Sequence, residues 1–167
     1  MDNLSSCSLY MLEQLNKNWS EYKGKVVPEV FMLSSVYEGL LEVEESAALK
    51  HGLQRNDLRT LLHLRSYSPE KTLSPTELFT SLNLTSGGLT KILHRLTDDG
   101  LVERIVNPED KRSTLVRLTD KGDALLAQAM DDLCEKDQNV FSVLQPEERD
   151  ALQAICCKLL KSLYPEE

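Results

Sequence analysis

The 167-residue chain is expected to be mainly α-helical, with one small β-hairpin set between two helical flanks. Three observations carry that expectation. Residues 73–122 change their apolar period from helical to extended and back. Each change falls on capping or turn residues. Apolar stripes at helical spacing occupy both ends of the chain.

Near the start, Leu12, Leu15, Trp19 and Tyr22 form one helical stripe, and Val30, Leu33, Tyr37, Leu40 and Leu41 form a second after Pro28. A helix carrying Leu58, Leu61 and Leu62 follows Gly52-Leu53. Ser74-Pro75-Thr76-Glu77 then reads as a capping box, with a hydroxyl at the cap, proline at the first helical position and glutamate at the third. That helix is short, because Asn83 marks a turn and Thr85-Ser86 offers a fresh cap. Leu89, Ile92, Leu93 and Leu96 make the apolar stripe of the next helix. At 100° per residue the opposite face carries Gly87, Gly88, Lys91, His94 and Arg95. Asp98-Asp99-Gly100 ends it, glycine suiting a left-handed C-terminal position.

Residues 101–106 and 114–118 are rich in β-branched and aliphatic side chains and flank a polar turn, Asn107-Pro108-Glu109-Asp110-Lys111-Arg112-Ser113. They are expected to pair as two antiparallel strands. Thr119-Asp120-Lys121-Gly122 caps a long helix carrying Leu126, Ala129, Met130, Leu133, Val140 and Leu144. Past Pro146 a last stripe runs through Leu152, Ile155, Leu159 and Leu163. Two short helices, a strand, a charged tip and a return strand are the order of a winged helix-turn-helix, an architecture that usually reads DNA.

A formal charge of −8 at first argues against nucleic acid. The acid, however, is segregated. Residues 1–50 hold four Lys/Arg against eight Asp/Glu, and residues 120–167 hold five against eleven. Residues 51–119 hold ten against eight. The central bases take the helix face (Lys91, Arg95) and the hairpin tip (Lys111, Arg112), the two elements that a winged domain offers to DNA.

The organisation expected is therefore residues 1–50 as N-terminal dimerisation helices, 51–122 as the winged helix-turn-helix, and 123–167 as C-terminal dimerisation helices. A small winged domain cannot cover the stripes at both ends, so their burial calls for a second subunit. A homodimer places two recognition helices in successive major grooves about 34 Å apart and so calls for a pseudo-palindromic operator.

The start of the chain carries no basic region followed by a long apolar run, and no stretch approaches a membrane span. The expected compartment is the cytoplasm. Cys7, Cys134, Cys156 and Cys157 lack the spacing of a zinc site, and a thiol sensor is the alternative that they leave open. Phosphate loop, zinc-protease and nucleophile-elbow motifs are absent, and His51, His63 and His94 have no acid or nucleophile at a catalytic spacing. Neither an enzyme nor a cofactor is expected.

Taken together, Gly52-Leu53, LSPTEL, LTSGGLTKILHRL, DGLVER and NPEDKRSTLVRLTDKG resemble the multiple antibiotic resistance regulator (MarR) family of bacterial transcription factors. Asp110-Lys111-Arg112 followed by Leu118-Thr119 and Gly122 is the specific part, and the resemblance covers about 70 of the 167 residues. It implies that Ser74, Pro75, Thr76 and Thr85, with Ser86, Gly87, Gly88, Thr90 and Lys91 at the start of the recognition helix, face DNA beside His94, Arg95 and Lys111. The two glycines allow close approach of backbone to DNA or are simply tolerated in a first turn. Arg112 would enter the minor groove. Asp110 would stay off DNA and accept from Arg112 or Arg117 to shape the wing. Ile92 and His94 depart from the subgroup, which commonly has an arginine and an acidic residue there, so base preference does not carry over.

The resemblance further implies a small aromatic or anionic effector between the dimer helices and the winged domain. Trp19, Tyr22, Tyr37, His51 and Arg55 lie near that junction in sequence, although aromatics at helical spacing also serve as core. The expected function is a homodimeric repressor that binds a pseudo-palindromic operator in double-stranded DNA and is released by such an effector. A winged-helix protein-interaction module without DNA binding is the alternative that the net acidity supports.

Overall fold

In the computed structural model the described residues are 8–82 and 85–165. The expected turn at Asn83, and Cys7, lie outside them. Helix α1 (Ser8–Asn18) is followed by α2 (Pro28–Lys50), α3 (Arg55–Tyr67), strand β1 (Thr72–Leu73), α4 (Pro75–Leu82) and α5 (Ser86–Asp98). Strands β2 (Val102–Val106) and β3 (Thr114–Leu118) make the wing, and α6 (Asp120–Phe141) and α7 (Pro146–Leu163) complete the chain.

The capping chemistry fixes most boundaries. Ser74 N–H donates to Glu77 Oε2 at 2.6 Å and Glu77 N–H donates to Ser74 Oγ at 3.2 Å, which closes the capping box of α4. Thr85 Oγ1 accepts from Gly88 N–H and Thr119 Oγ1 accepts from Gly122 N–H, so α5 and α6 start where their hydroxyls allow. Gly100, at φ +68°, turns the chain out of α5 while Leu101 N–H bonds back to Leu96 O. That bond engages Leu101 in the helix cap, and β2 therefore begins one residue later than expected.

Three further expectations are corrected. The sheet has three strands in the order β1-β3-β2, because Thr72 and Leu73 pair antiparallel with Arg117 and Val116. A two-residue strand is too short to show alternation in sequence. At the N-terminus, α1 ends at Asn18. Trp19 leaves helical dihedrals (φ −133°, ψ 68°), and Tyr22 sits in a separate 3-10 turn, so their stripe is not one helix. At the other end Leu144 lies beyond the last turn of α6.

One apolar cluster holds the centre together. Leu58, Leu61 and Leu64 of α3 meet Leu78 and Leu82 of α4, Leu89, Ile92, Leu93 and Leu96 of α5, and Val102, Val116 and Leu118 of the sheet. Leu126 and Ala129 of α6 join it, together with Ala48 at the end of α2. Helix α5 is thus held by the same core that receives both flanks.

Candidate nucleic-acid interface

Burial of Leu89, Ile92, Leu93 and Leu96, each at most 5% exposed, fixes the rotation of α5. Gly87, Thr90, Lys91 and His94 consequently face out, and Gly88 is half-buried. Ser86 opens the helix, and its side chain is outside what the structure describes. A Cβ at Gly87 would meet nothing within 4 Å, whereas one at Gly88 would lie 3.0 Å from Thr85 Oγ1. In the first turn of α4, Pro75 has no N–H and Glu77 N–H is taken by Ser74. The cap thus leaves the exposed Thr76 with the first-turn N–H that a phosphate can use. Those cap bonds from Ser74 also hold the Glu77 carboxyl below its ordinary range.

The wing tip is braced by its own polar groups. Asn107 Nδ2 donates to Ser113 Oγ at 3.0 Å, Glu109 N–H donates to Asn107 Oδ1 at 3.0 Å, and Ser113 N–H donates to Asp110 O at 2.9 Å. Asp110 Oδ1 accepts from the backbone N–H of Arg112 at 3.0 Å. Of the two expected arginines Arg112 is therefore the partner, through its backbone N–H and not its guanidinium, whereas Arg117 is not: its Nε donates to Glu103 Oε1 across the strands at 2.8 Å. Asp110 therefore shapes the turn through the backbone and leaves the Arg112 side chain exposed.

Arg95 is corrected too. Its guanidinium turns inward and binds both carboxylate oxygens of Asp57, which is 1% exposed and also accepts from Gln54 N–H at the start of α3. Those hydrogen bonds hold the Arg95 proton more tightly than usual. The pair bolts α5 to α3. A helix-face projection misses this because Arg95 flanks the buried stripe and its long stem reaches around it. His94 remains exposed, with Nδ1 2.7 Å from Asp98 Oδ2.

Among the described residues no ion pair is found for Lys91, Lys111 or Arg112. Arg104, another exposed cation of the winged domain without an ion pair, is not among the residues expected from the sequence. It lies on β2 opposite Val116, on the sheet face that meets the helices, and period-two counting from Val102 finds it.

The expected effector residues are not brought together within one chain. Trp19 and Tyr22 pack edge to face at 4.4 Å, with Lys25 Nζ 5.6 Å from the Tyr22 ring. Tyr37 is exposed on α2, about 20 Å of helix from its end. At that end His51 Nε2 lies 2.5 Å from Asp132 Oδ2 of α6, and Lys50 donates to the same carboxylate at 2.8 Å. Arg55 Nε is buried with no hydrogen-bond partner, near Glu44 and Arg59. A cleft of about 830 Å³ opens elsewhere, between the start of α4 and the base of the wing. Glu70, Glu77 and Glu109 line it, which does not suit an anion. No described helix is long and apolar enough to cross a membrane, and Cys134, Cys156 and Cys157 carry free thiols.

A family model described as the MarR family matches residues 51–113. An HTH-type transcriptional regulator of Bacillus cereus (strain ZK / E33L) is 32% identical over 121 residues, 69% of this chain and 78% of that protein. The HTH-type transcriptional regulator PecS of Dickeya dadantii (strain 3937) is 28% identical over 114 residues, 68% and 69% of the two chains. The multiple antibiotic resistance protein MarR of Escherichia coli (strain K12) is 46% identical over 56 residues, which span 39% of its length. The crystal structure of an E. coli MarR mutant complexed with operator DNA superposes with a TM-score of 0.69 at 26% identity, covering 81% of this chain and 96% of that one.

Proposed function

The chain belongs to the MarR family of transcription regulators, and on that premise we propose that it is a cytoplasmic homodimer that represses by occupying a pseudo-palindromic operator. The supporting observation is one arrangement. An outward recognition-helix face and a braced wing tip present Lys91, Lys111 and Arg112 without ion pairs in a chain of net charge −8. Cations left unneutralised by their own protein are available to phosphate, and the release of counterions supplies affinity. Thr90, Lys91 and the exposed N-terminus of α5 reach base edges and phosphate, the first turn of α4 reaches backbone phosphate, and Arg112 enters the minor groove.

Release is by a small aromatic or anionic effector bound where the flanking helices meet α3. Arg55 and Arg59 supply the cations there, and the aromatics Trp19, Tyr22 and Tyr37 become neighbours of such a site only across two subunits. An effector that favours one spacing of the recognition helices by a few kcal/mol is sufficient for control.

Genomic fragment selection followed by titration of the recovered operator tests this. A plot of log K against log salt should fall with a slope of several units, and Arg112→Ala should weaken binding and lower that slope by about one. Affinity for every duplex in the millimolar range at low salt would sink the proposal.

A further inference from the structure

We propose that Lys71 and Asp123 are positioning residues for DNA reading: their ion pair ties the edge of the wing sheet to the first turn of α6 and so fixes how far apart the two half-sites of an operator must lie. The inference rests on the proposed homodimeric DNA-reading function and names what holds its geometry. Among the described residues Lys71 is the one non-glycine with a positive φ, at 55°. Residues other than glycine enter that left-handed region under strain, which persists only where the surroundings impose it.

Those surroundings are three elements. Lys71 N–H donates to Ser68 O just past α3 at 2.9 Å, Lys71 O accepts from Leu118 N–H at the end of β3 at 2.9 Å, and Lys71 Nζ donates to Asp123 Oδ2 of α6 at 2.6 Å. Arg65 Nε of α3 lies 3.0 Å from Oδ1 of the same carboxylate. The Lys71 hydrogen bond, aided by Arg65, holds the Asp123 carboxyl below its ordinary range, so the pair is charged at neutral pH.

Placement along α6 gives the pair its role. Thr119 Oγ1 donates to Gly100 O at 2.8 Å and Lys121 Nζ donates to Asp99 O at 2.6 Å, so both reach the turn between α5 and β2. Asp123 stands two residues past Lys121, roughly 200° round the helix, and reaches α3 and the edge of the sheet instead. A helix held along one side can pivot about that side, and a grip on the opposite side stops it. Because α6 runs on into the C-terminal flank, a pivot at its first turn would shift the winged domain against the proposed subunit interface.

Titration of the full chain against operators whose half-sites are moved apart by one base pair tests this. The insertion turns the second half-site by roughly 34° and moves it about 3.4 Å, and the wild type should lose about a hundredfold in affinity. Lys71→Gly removes the amine while relieving the strain at φ 55°, so thermal unfolding should stay close to that of the wild type. Its penalty for the insertion should shrink to about tenfold, with base preference inside each half-site unchanged, and Asp123→Asn should do the same. Lys71→Arg should restore the full penalty, and its failure to do so overturns the part given to the cation. A full penalty retained in Lys71→Gly and Asp123→Asn overturns the inference, as does a wild type that binds every spacing alike. Equal weakening at all spacings with a salt slope reduced by about one identifies Lys71 as a phosphate contact and overturns it too. Failure of the wild type to bind any duplex rejects DNA reading itself.

Discussion

Asp57 and Arg95 form one ion pair, yet its two ends are unequal. Asp57 is 1% exposed, while the Arg95 side chain keeps 35% of its surface. Truncating Asp57 leaves a cation that water reaches. Truncating Arg95 leaves a buried carboxylate with only the Gln54 N–H. Arg95→Ala should therefore cost about 3 kcal/mol and Asp57→Ala about 2, and urea unfolding of both variants checks the order. Glu44 presents the opposite balance. Burial raises its pKa and outweighs the attraction of Arg59 and Arg55. A carboxyl whose folded pKa exceeds its unfolded value weakens the fold at neutral pH, and this penalty fades as pH falls through the folded value. Glu44→Gln should raise the unfolding midpoint at pH 7 and lose that advantage near pH 4. His63 shows the complementary sign, because burial and then Arg59 lower its pKa. Its contribution is intact above the unfolded value near 6.5 and is lost as pH falls toward the folded one.

At the scale of elements, two glycines of the interface region behave oppositely. Gly122, in the first turn of α6, would place a Cβ 2.1 Å from Leu101 O and 2.8 Å from Leu118 Cδ1. Backbone there cannot yield, so Gly122→Ala should destabilise by about 3 kcal/mol. Gly87 has open space around it, and Gly87→Ala should stabilise α5 by up to about 1 kcal/mol. If close approach to DNA is the reason for glycine, that variant gains stability while losing operator affinity; a gain in both removes the reason. Elements were legible in the sequence where chemistry is local. Ser74 with Glu77, Thr85 with Gly88 and Thr119 with Gly122 each announce a helix start within four residues. Thr72-Leu73 did not, since its strand exists only by pairing with β3. Asp57 with Arg95 and His51 with Asp132 were equally silent, because partners separated by 38 and 81 positions leave no periodic trace.

For the whole molecule, charge and apolar surface are partitioned, and in the proposed homodimer that partition would make assembly and DNA binding one property. Acid accumulates on the flanks, whereas residues 51–119 hold more Lys/Arg than Asp/Glu and present Lys91, Lys111 and Arg112 without ion pairs among the described residues. A single chain leaves Val30, Leu33 and Tyr37 of α2 between 45% and 61% exposed, and Ile155, Leu159 and Leu163 of α7 between 44% and 70% exposed. Burying six such side chains is worth on the order of 10 kcal/mol before the cost of association, enough for a stable pair of subunits. The flanking faces were readable as stripes, but what covers them was not, because a stripe reports that it must be buried and never by what. Leu159→Glu combined with Leu163→Glu places two charges in that surface without touching the central core, so the winged domain should keep its fold. Sedimentation should then report a single subunit. Operator affinity should fall by two orders of magnitude or more, since each subunit now carries its ordering cost alone at a half-site about 34 Å from the next. A double variant that sediments as one subunit yet binds the operator as tightly as the wild type would break the link between the flanks and DNA reading.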